Sequence, residues 1–126
     1  MLTIYTGNIY SDKLASLDTT YAWPEEKRGP YEQFEWFDKH LEEFNTKEVS
    51  IKTFSPYLLN YINLVLKERK LDFDKLDVIN IYFDESTDEY YNEDLKILNY
   101  NMIDTRCMSE PISWIYEKYN KITNKN

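Results

Sequence analysis

The feature that most constrains this chain is residues 48–66, a strand, a sharp turn and a helix written almost without a break. Val49, Ser50, Ile51, Lys52 and Thr53 alternate apolar and polar, as a half-buried strand does. Ser55 then stands where a helix N-cap would, and Pro56 at the first helical position, where its missing N–H costs nothing. Leu58, Leu59, Ile62, Val65 and Leu66 recur at helical spacing and form one broad apolar face. Lys67, Arg69 and Lys70 close the segment where positive charge complements the helix dipole. A strand that passes straight into a helix with a wide buried face needs a sheet beneath it, so the chain is expected to be α/β.

The flanking segments extend that reading. Residues 2–6 are short, β-branched and aromatic, which predicts a strand ended by Gly7 and Asn8. Residues 8–29 carry mixed signals: a helical turn around residues 11–16, then a loop punctuated by Trp23-Pro24 and Gly29-Pro30, with Trp23 pinning it to the body. From Pro30 the spacing of Phe34, Phe37, Leu41 and Phe44 predicts a helix ending at Asn45 and Thr46. Residues 72–77 read as a turn or linker and residues 78–83 as the strongest strand. Residues 84–94 read as an acidic loop, and residues 95–100 as a strand that pairs antiparallel with 78–83 across it. Ser109, Glu110 and Pro111 repeat the cap-then-proline device. Ile112, Ile115, Tyr116, Tyr119 and Ile122 mark one face of a last helix, before a polar tail from Thr123 to Asn126. The first two strands enclose a helix, so a right-handed parallel βαβ unit is expected. Residues 1–126 are expected to form a single α/β domain: a mixed, partly parallel sheet of about four strands with packed helices.

Composition excludes several classes of function. The formal net charge is −8, from 23 acidic and 15 basic residues, which disfavours a general nucleic-acid binder. Twelve tyrosines against two glycines suit half-buried positions and interfaces, because tyrosine packs its ring and keeps a wet hydroxyl. Cys107 is the one cysteine, so an intrachain disulfide is impossible, and a soluble cytoplasmic protein is expected. No apolar run approaches the roughly 20 residues that cross a bilayer.

Most catalytic motifs are missing. Neither glycine stands near a Gly-Lys-Ser/Thr, so no phosphate loop is expected, and the Gly-x-Gly-x-x-Gly dinucleotide motif is equally absent. His40 is the sole histidine, and only a spatial meeting with Cys107 would give a nucleophile and base. The acidic loop lacks the central glycine and ligand register of an EF-hand. No metal or cofactor is expected.

Thr53, Phe54, Ser55, Pro56, Tyr57, Leu58, Leu59 and Asn60 together resemble the Thr-His-Ser-Pro-hydrophobic-Leu-Leu switch segment of ABC-type ATPases of the RecF/SMC/OLD group. The later stretches around residues 76–83, 103–106 and 109–116 are similar to the C-terminal tail of some of these enzymes. The resemblance implies the C-terminal half of such an ATPase, degenerate and without its phosphate loop. Phe54 stands at the position of the switch histidine and cannot hydrogen-bond a γ-phosphate or a water. Residues 2–8, matched to the family's acidic magnesium-binding strand, carry no acidic residue. Thr53, Phe54, Ser55, Pro56 and Asn60 are therefore matched as structural positions, with no catalytic residue. The expected function is a non-catalytic interaction or assembly module that binds a protein partner or a second copy. The alternatives are half of a split ATPase completed by a partner that bears the phosphate loop, and a small enzyme with an unrecognised site.

Overall fold

A computed structural model describes residues 1–7, 12–106 and 110–123, with backbone only for 110–114 and 123. Its central strand is β1 (Leu2–Gly7), followed by the short helix α1 (Asp12–Ser16) and the two-residue strand β2 (Tyr21–Ala22). Two consecutive helices, α2 (Pro30–Lys39) and α3 (Leu41–Thr46), lead to β3 (Val49–Lys52) and α4 (Pro56–Lys67). A 3-10 turn precedes β4 (Leu76–Asp84), which pairs with β5 (Glu89–Asp94). A small hairpin, β6 (Lys96–Ile97) and β7 (Met102–Ile103), precedes α5 (Glu110–Thr123).

The main sheet has five strands in the order β2-β3-β1-β4-β5, parallel except for β5. The fold is thus mixed α/β, with one strand more than the sequence suggests. The extra strand is β2, inside the stretch expected to be an irregular loop. Two further expectations are corrected. The antiparallel partner of β4 is Glu89–Asp94, within the supposed acidic loop, and residues 95–100 form no strand alongside β4. The reversal takes only residues 85–88: Asp84 accepts bonds from the Ser86 N–H and hydroxyl, and Asp88 takes the left-handed backbone that Asp tolerates. The helix predicted from Pro30 breaks at His40 into two, although its apolar stripe continues into α3 with Phe44 fully buried.

Connections dictate which face each helix covers. From β1 the chain crosses over β3 to β2, then returns to β3 and goes on past β1 to β4. Right-handed crossovers place helices of opposite travel on opposite faces. Accordingly α2, α3 and α4 share one face, and α1 lies on the other. Leu2, Ile4, Val49, Ile51, Leu76 and Val78 point into the shared face and join Phe37, Phe44, Leu58, Leu59, Ile62 and Val65 in one core. Each such burial contributes about 1.5–3 kcal/mol before the entropy of ordering the chain is subtracted. Among the described residues, Leu14 of α1 is the one buried helical side chain on the second face, where Ile81 of β4 is also buried. There Thr3, Tyr5 and Ile79 are half-buried, while Phe83 and Tyr90, paired across β4 and β5 with rings 5.1 Å apart, are exposed.

One close approach sets the sheet and one contact pins the helices over it. Gly7 lies opposite Ile81, and a Cβ there would overlap the Ile81 carbonyl oxygen. On the helical face, Phe34 of α2 stacks on Tyr61 of α4 at 4.4 Å, and the Tyr61 hydroxyl donates to both Asp38 oxygens at 2.7 Å.

Gly7→Ala is expected to cost about 1–3 kcal/mol through forced separation of β1 and β4, read as a lowered urea-unfolding midpoint with unchanged m-value. Burial, with Asp38 as the acceptor, pushes the Tyr61 phenol up to about 12. A raised phenol stabilises the fold fully below the unfolded value near 10 and loses that contribution as pH rises towards 12. Unfolding free energy should therefore fall across that window in the native protein, and less steeply in Tyr61→Phe.

Candidate functional site

In an open parallel sheet, ligands bind beyond the carboxyl ends of adjacent strands whose connections leave on opposite faces. Here those strands are β1, which leads to α1, and β3, which leads to α4 on the other side. Among the described residues, all six buried polar side chains belong to this end of the molecule: Thr6, Gln33, Lys52, Thr53, Ser55 and Asn80. Their placement follows from register. Thr53 donates its N–H to the Tyr5 carbonyl at 2.9 Å, which extends the β3–β1 pairing and sets Thr53 beside Thr6, itself opposite Asn80.

The turn after β3 is tied from three directions. Glu25, just beyond β2, accepts the Phe54 N–H at 3.1 Å with one carboxylate oxygen and the Thr53 hydroxyl at 2.5 Å with the other. Thr53 in turn accepts the Ser55 N–H at 3.1 Å. Ser55 caps α4 by accepting the Leu58 N–H at 3.2 Å and donates to Gln33 Oε1 at 2.5 Å. Gln33 Nε2 reaches the Arg28 carbonyl, so the starts of α2 and α4 are coupled through two side chains.

Lys52 approaches from the other face. Its Nζ donates to the carbonyls of Ala15 and Leu17 at 2.7 and 2.8 Å and lies 5.5 Å from the Trp23 ring centre. Trp23 donates its N–H to the Lys52 carbonyl and packs on Phe54 with rings 4.9 Å apart. Thr6 Oγ1 is buried and has no hydrogen-bond partner among the described residues.

The structure thus brings Thr53, Phe54 and Ser55 together at the switch point. Pro56 occupies the first helical position of α4 and is exposed. Asn60 lies a turn further on, where Nδ2 donates to the Pro56 carbonyl and Oδ1 accepts from Thr105. His40 lies elsewhere, at the junction of α2 and α3 among Tyr21, Trp36 and Phe44, with Nδ1 donating to the Trp36 carbonyl at 2.7 Å. Cys107 and Ser109 lie outside the described residues, so the Cys107–His40 pairing and the Ser109 cap do too. Among the described residues, no three His, Cys, Asp or Glu side chains converge to hold a metal, and no helix is long and apolar enough to cross a membrane.

Two features escape sequence reasoning. Glu25 is one acidic residue among 23, and nothing in its neighbourhood marks it as the ligand of a turn 28 residues later. The other is the succession of β1, Gly7 and α1. A phosphate loop joins a strand to a helix through Gly-x-x-x-x-Gly-Lys-Ser/Thr. Gly7 and Lys13 keep the first glycine and the lysine at that spacing, with Asp12 in place of the second glycine and Leu14 in place of the hydroxyl residue. A search for an intact Gly-Lys-Ser/Thr passes over it, and only the strand–helix context makes the spacing visible. The residues present do not suit phosphate: Asp12 brings a negative charge, and Leu14 is buried with no hydroxyl for magnesium. Lys13 Nζ lies 5.6 Å from the Tyr90 ring centre.

Comparison of the chain with protein-family models, with curated proteins and with solved structures finds no match. Glu25→Ala would leave the Phe54 N–H and Thr53 hydroxyl without their carboxylate. The expected loss is about 1–3 kcal/mol, measured by chemical unfolding, with Thr53→Val losing a similar amount and the double variant less than the sum.

Proposed function

We propose that this chain is a degenerate ATPase-derived domain that performs no nucleotide chemistry and acts as a protein-interaction module. The observation that carries the reading is α5. Residues 115–122 are exposed throughout, and Ile115, Tyr116, Tyr119 and Ile122 are 57–72% exposed. A helix this short is marginal in water without a packed face, so its apolar side chains call for a covering surface.

The switch point supports the other half of the proposal. Phosphoryl transfer works by positioning phosphates and metal. Here the matched switch position holds Phe54 stacked on Trp23, and the turn's N–H and hydroxyl donors are taken by Glu25. The reading rests on the resemblance of residues 53–60 to the switch segment in the C-terminal half of such an ATPase, without its phosphate loop. A cytoplasmic setting accords with the acidic, single-cysteine composition.

Titration of the protein with Mg-ATP in a calorimeter should give no binding heat, and micromolar affinity would overturn the non-catalytic reading. Ile115→Ser, studied where the chain is monomeric, should change unfolding free energy by no more than about 0.5 kcal/mol, as exposed positions do. A loss above about 2 kcal/mol would mean that α5 packs on its own body, and the interaction reading would fall.

A further inference from the structure

We propose that residues 12–20 form a strap over the second face of the sheet, latched by the buried ammonium of Lys52, and that the strap lifts from Ile81 without unfolding of the sheet.

The latch is a charge paired with backbone. Lys52 is 8% exposed, and a buried ammonium costs free energy unless it is paired. Among the described residues no carboxylate pairs with it. Its Nζ donates instead to the Ala15 and Leu17 carbonyls, and the Trp23 ring stands beside it. The last carbonyls of a helix have no partner inside it, so the end of α1 and the ammonium satisfy one another. Each is left to water once the other is withdrawn.

What the strap covers shows in the burial along β4. On the second face Ile79 is half-buried and Phe83 exposed, yet Ile81 between them is only 2% exposed. Ile81 stands opposite Gly7, and the buried Leu14 side chain comes within 3.6 Å of where a Gly7 Cβ would be. Leu14 thus hides the sheet around Gly7 and Ile81, and Lys13 extends the cover towards Tyr90. Lifting the strap would join Ile81 to Ile79, Phe83 and Tyr90 in one larger apolar strip.

The cover is thinly attached. Of residues 12–20, Leu14 alone is buried, Leu17 and Thr19 are half-buried, and the rest are exposed. Leu14 and Ile81 both stand apart from the main core, which lies on the other face. Losing their contact therefore leaves the packing of β1, β3 and β4 against α2 and α4 intact. Where the strap meets β2, Thr20 and Ser50 exchange two bonds across its end. Hydrogen bonds traded for bonds to water contribute little net free energy. Segments with few buried apolar contacts open locally far more often than the body unfolds.

A thiol placed under the strap tests this. In the full chain, Ile81→Cys is treated with a thiol reagent under native conditions, and the label at residue 81 is located by peptide mapping. Amide exchange of β1 is followed in the same protein. Position 81 should open at least about a hundredfold more often than the β1 amides, with little change in urea below the unfolding transition. Lys52→Met keeps the stem and removes the charge. It should speed labelling more than about tenfold while β1 exchange changes less than about threefold. Lys52→Arg, which keeps a cation, should stay closer to the parent. Labelling that follows β1 exchange in rate and urea dependence would mean that the strap lifts only when the sheet unfolds, and overturns the proposal. Unchanged labelling in Lys52→Met overturns it too, because the ammonium is then no latch. Equal acceleration of labelling and β1 exchange does the same, because the lysine then holds the whole fold. The urea comparison needs no change at Lys52, so it decides the matter even where Lys52→Met does not fold.

Discussion

Everything in this molecule is arranged around the burial of β1 between two parallel neighbours. Leu2 and Ile4 present a flat apolar surface on one side, and β3 and β4 extend it on either hand in the same register. That surface fixes where α4 must lie, and α4 fixes α2 through the stack of Phe34 on Tyr61. Gly7 is the limit of the arrangement: β1 and β4 come too close there for any side chain. Parallel strands run the same way, so β1, β2 and β3 all end at one edge.

What stands at that edge is a network of hydrogen bonds within the chain. Glu25 spends its carboxylate on the turn after β3, Ser55 spends its hydroxyl on the cap and on Gln33, and Lys52 closes the end of α1. Charged and polar groups in a protein interior cost free energy unless they are paired, and here the pairing is supplied from within the chain. Among the described residues, Thr6 Oγ1 is the exception.

The parts of the fold legible in the sequence are those where burial writes a period. β1, β3, β4 and the apolar faces of α2 and α4 each alternate at two or at three to four residues, and Ser55-Pro56 marks a helix start by local chemistry alone. β5 is illegible because an edge strand exposed on most positions has no apolar alternation to show; Glu89, Glu93 and Asp94 read as loop, although charges of this kind protect an edge from further pairing. β2 is two residues long, pairing Tyr21 and Ala22 with Ile51 and Lys52, and is flanked by the bonds that Ser50 and Thr20 exchange and by Trp23 reaching Lys52. The break at His40 is hidden because the stripe through Phe37 and Phe44 stays in phase across it. At the switch point, Thr53 to Asn60 could be placed from the sequence. Their real tie to Glu25 could not, since hydrogen bonds across 28 residues leave no periodic trace.

The carboxylate of Glu25 has a consequence for regulation. A turn whose donors await an external anion has two states, and the supply of that anion decides between them. A turn that carries its own anion has no such equilibrium to shift. The start of α4, and through Gln33 the start of α2, is held by groups of this chain. On the reading proposed above, the turn would need no bound nucleotide to keep its shape.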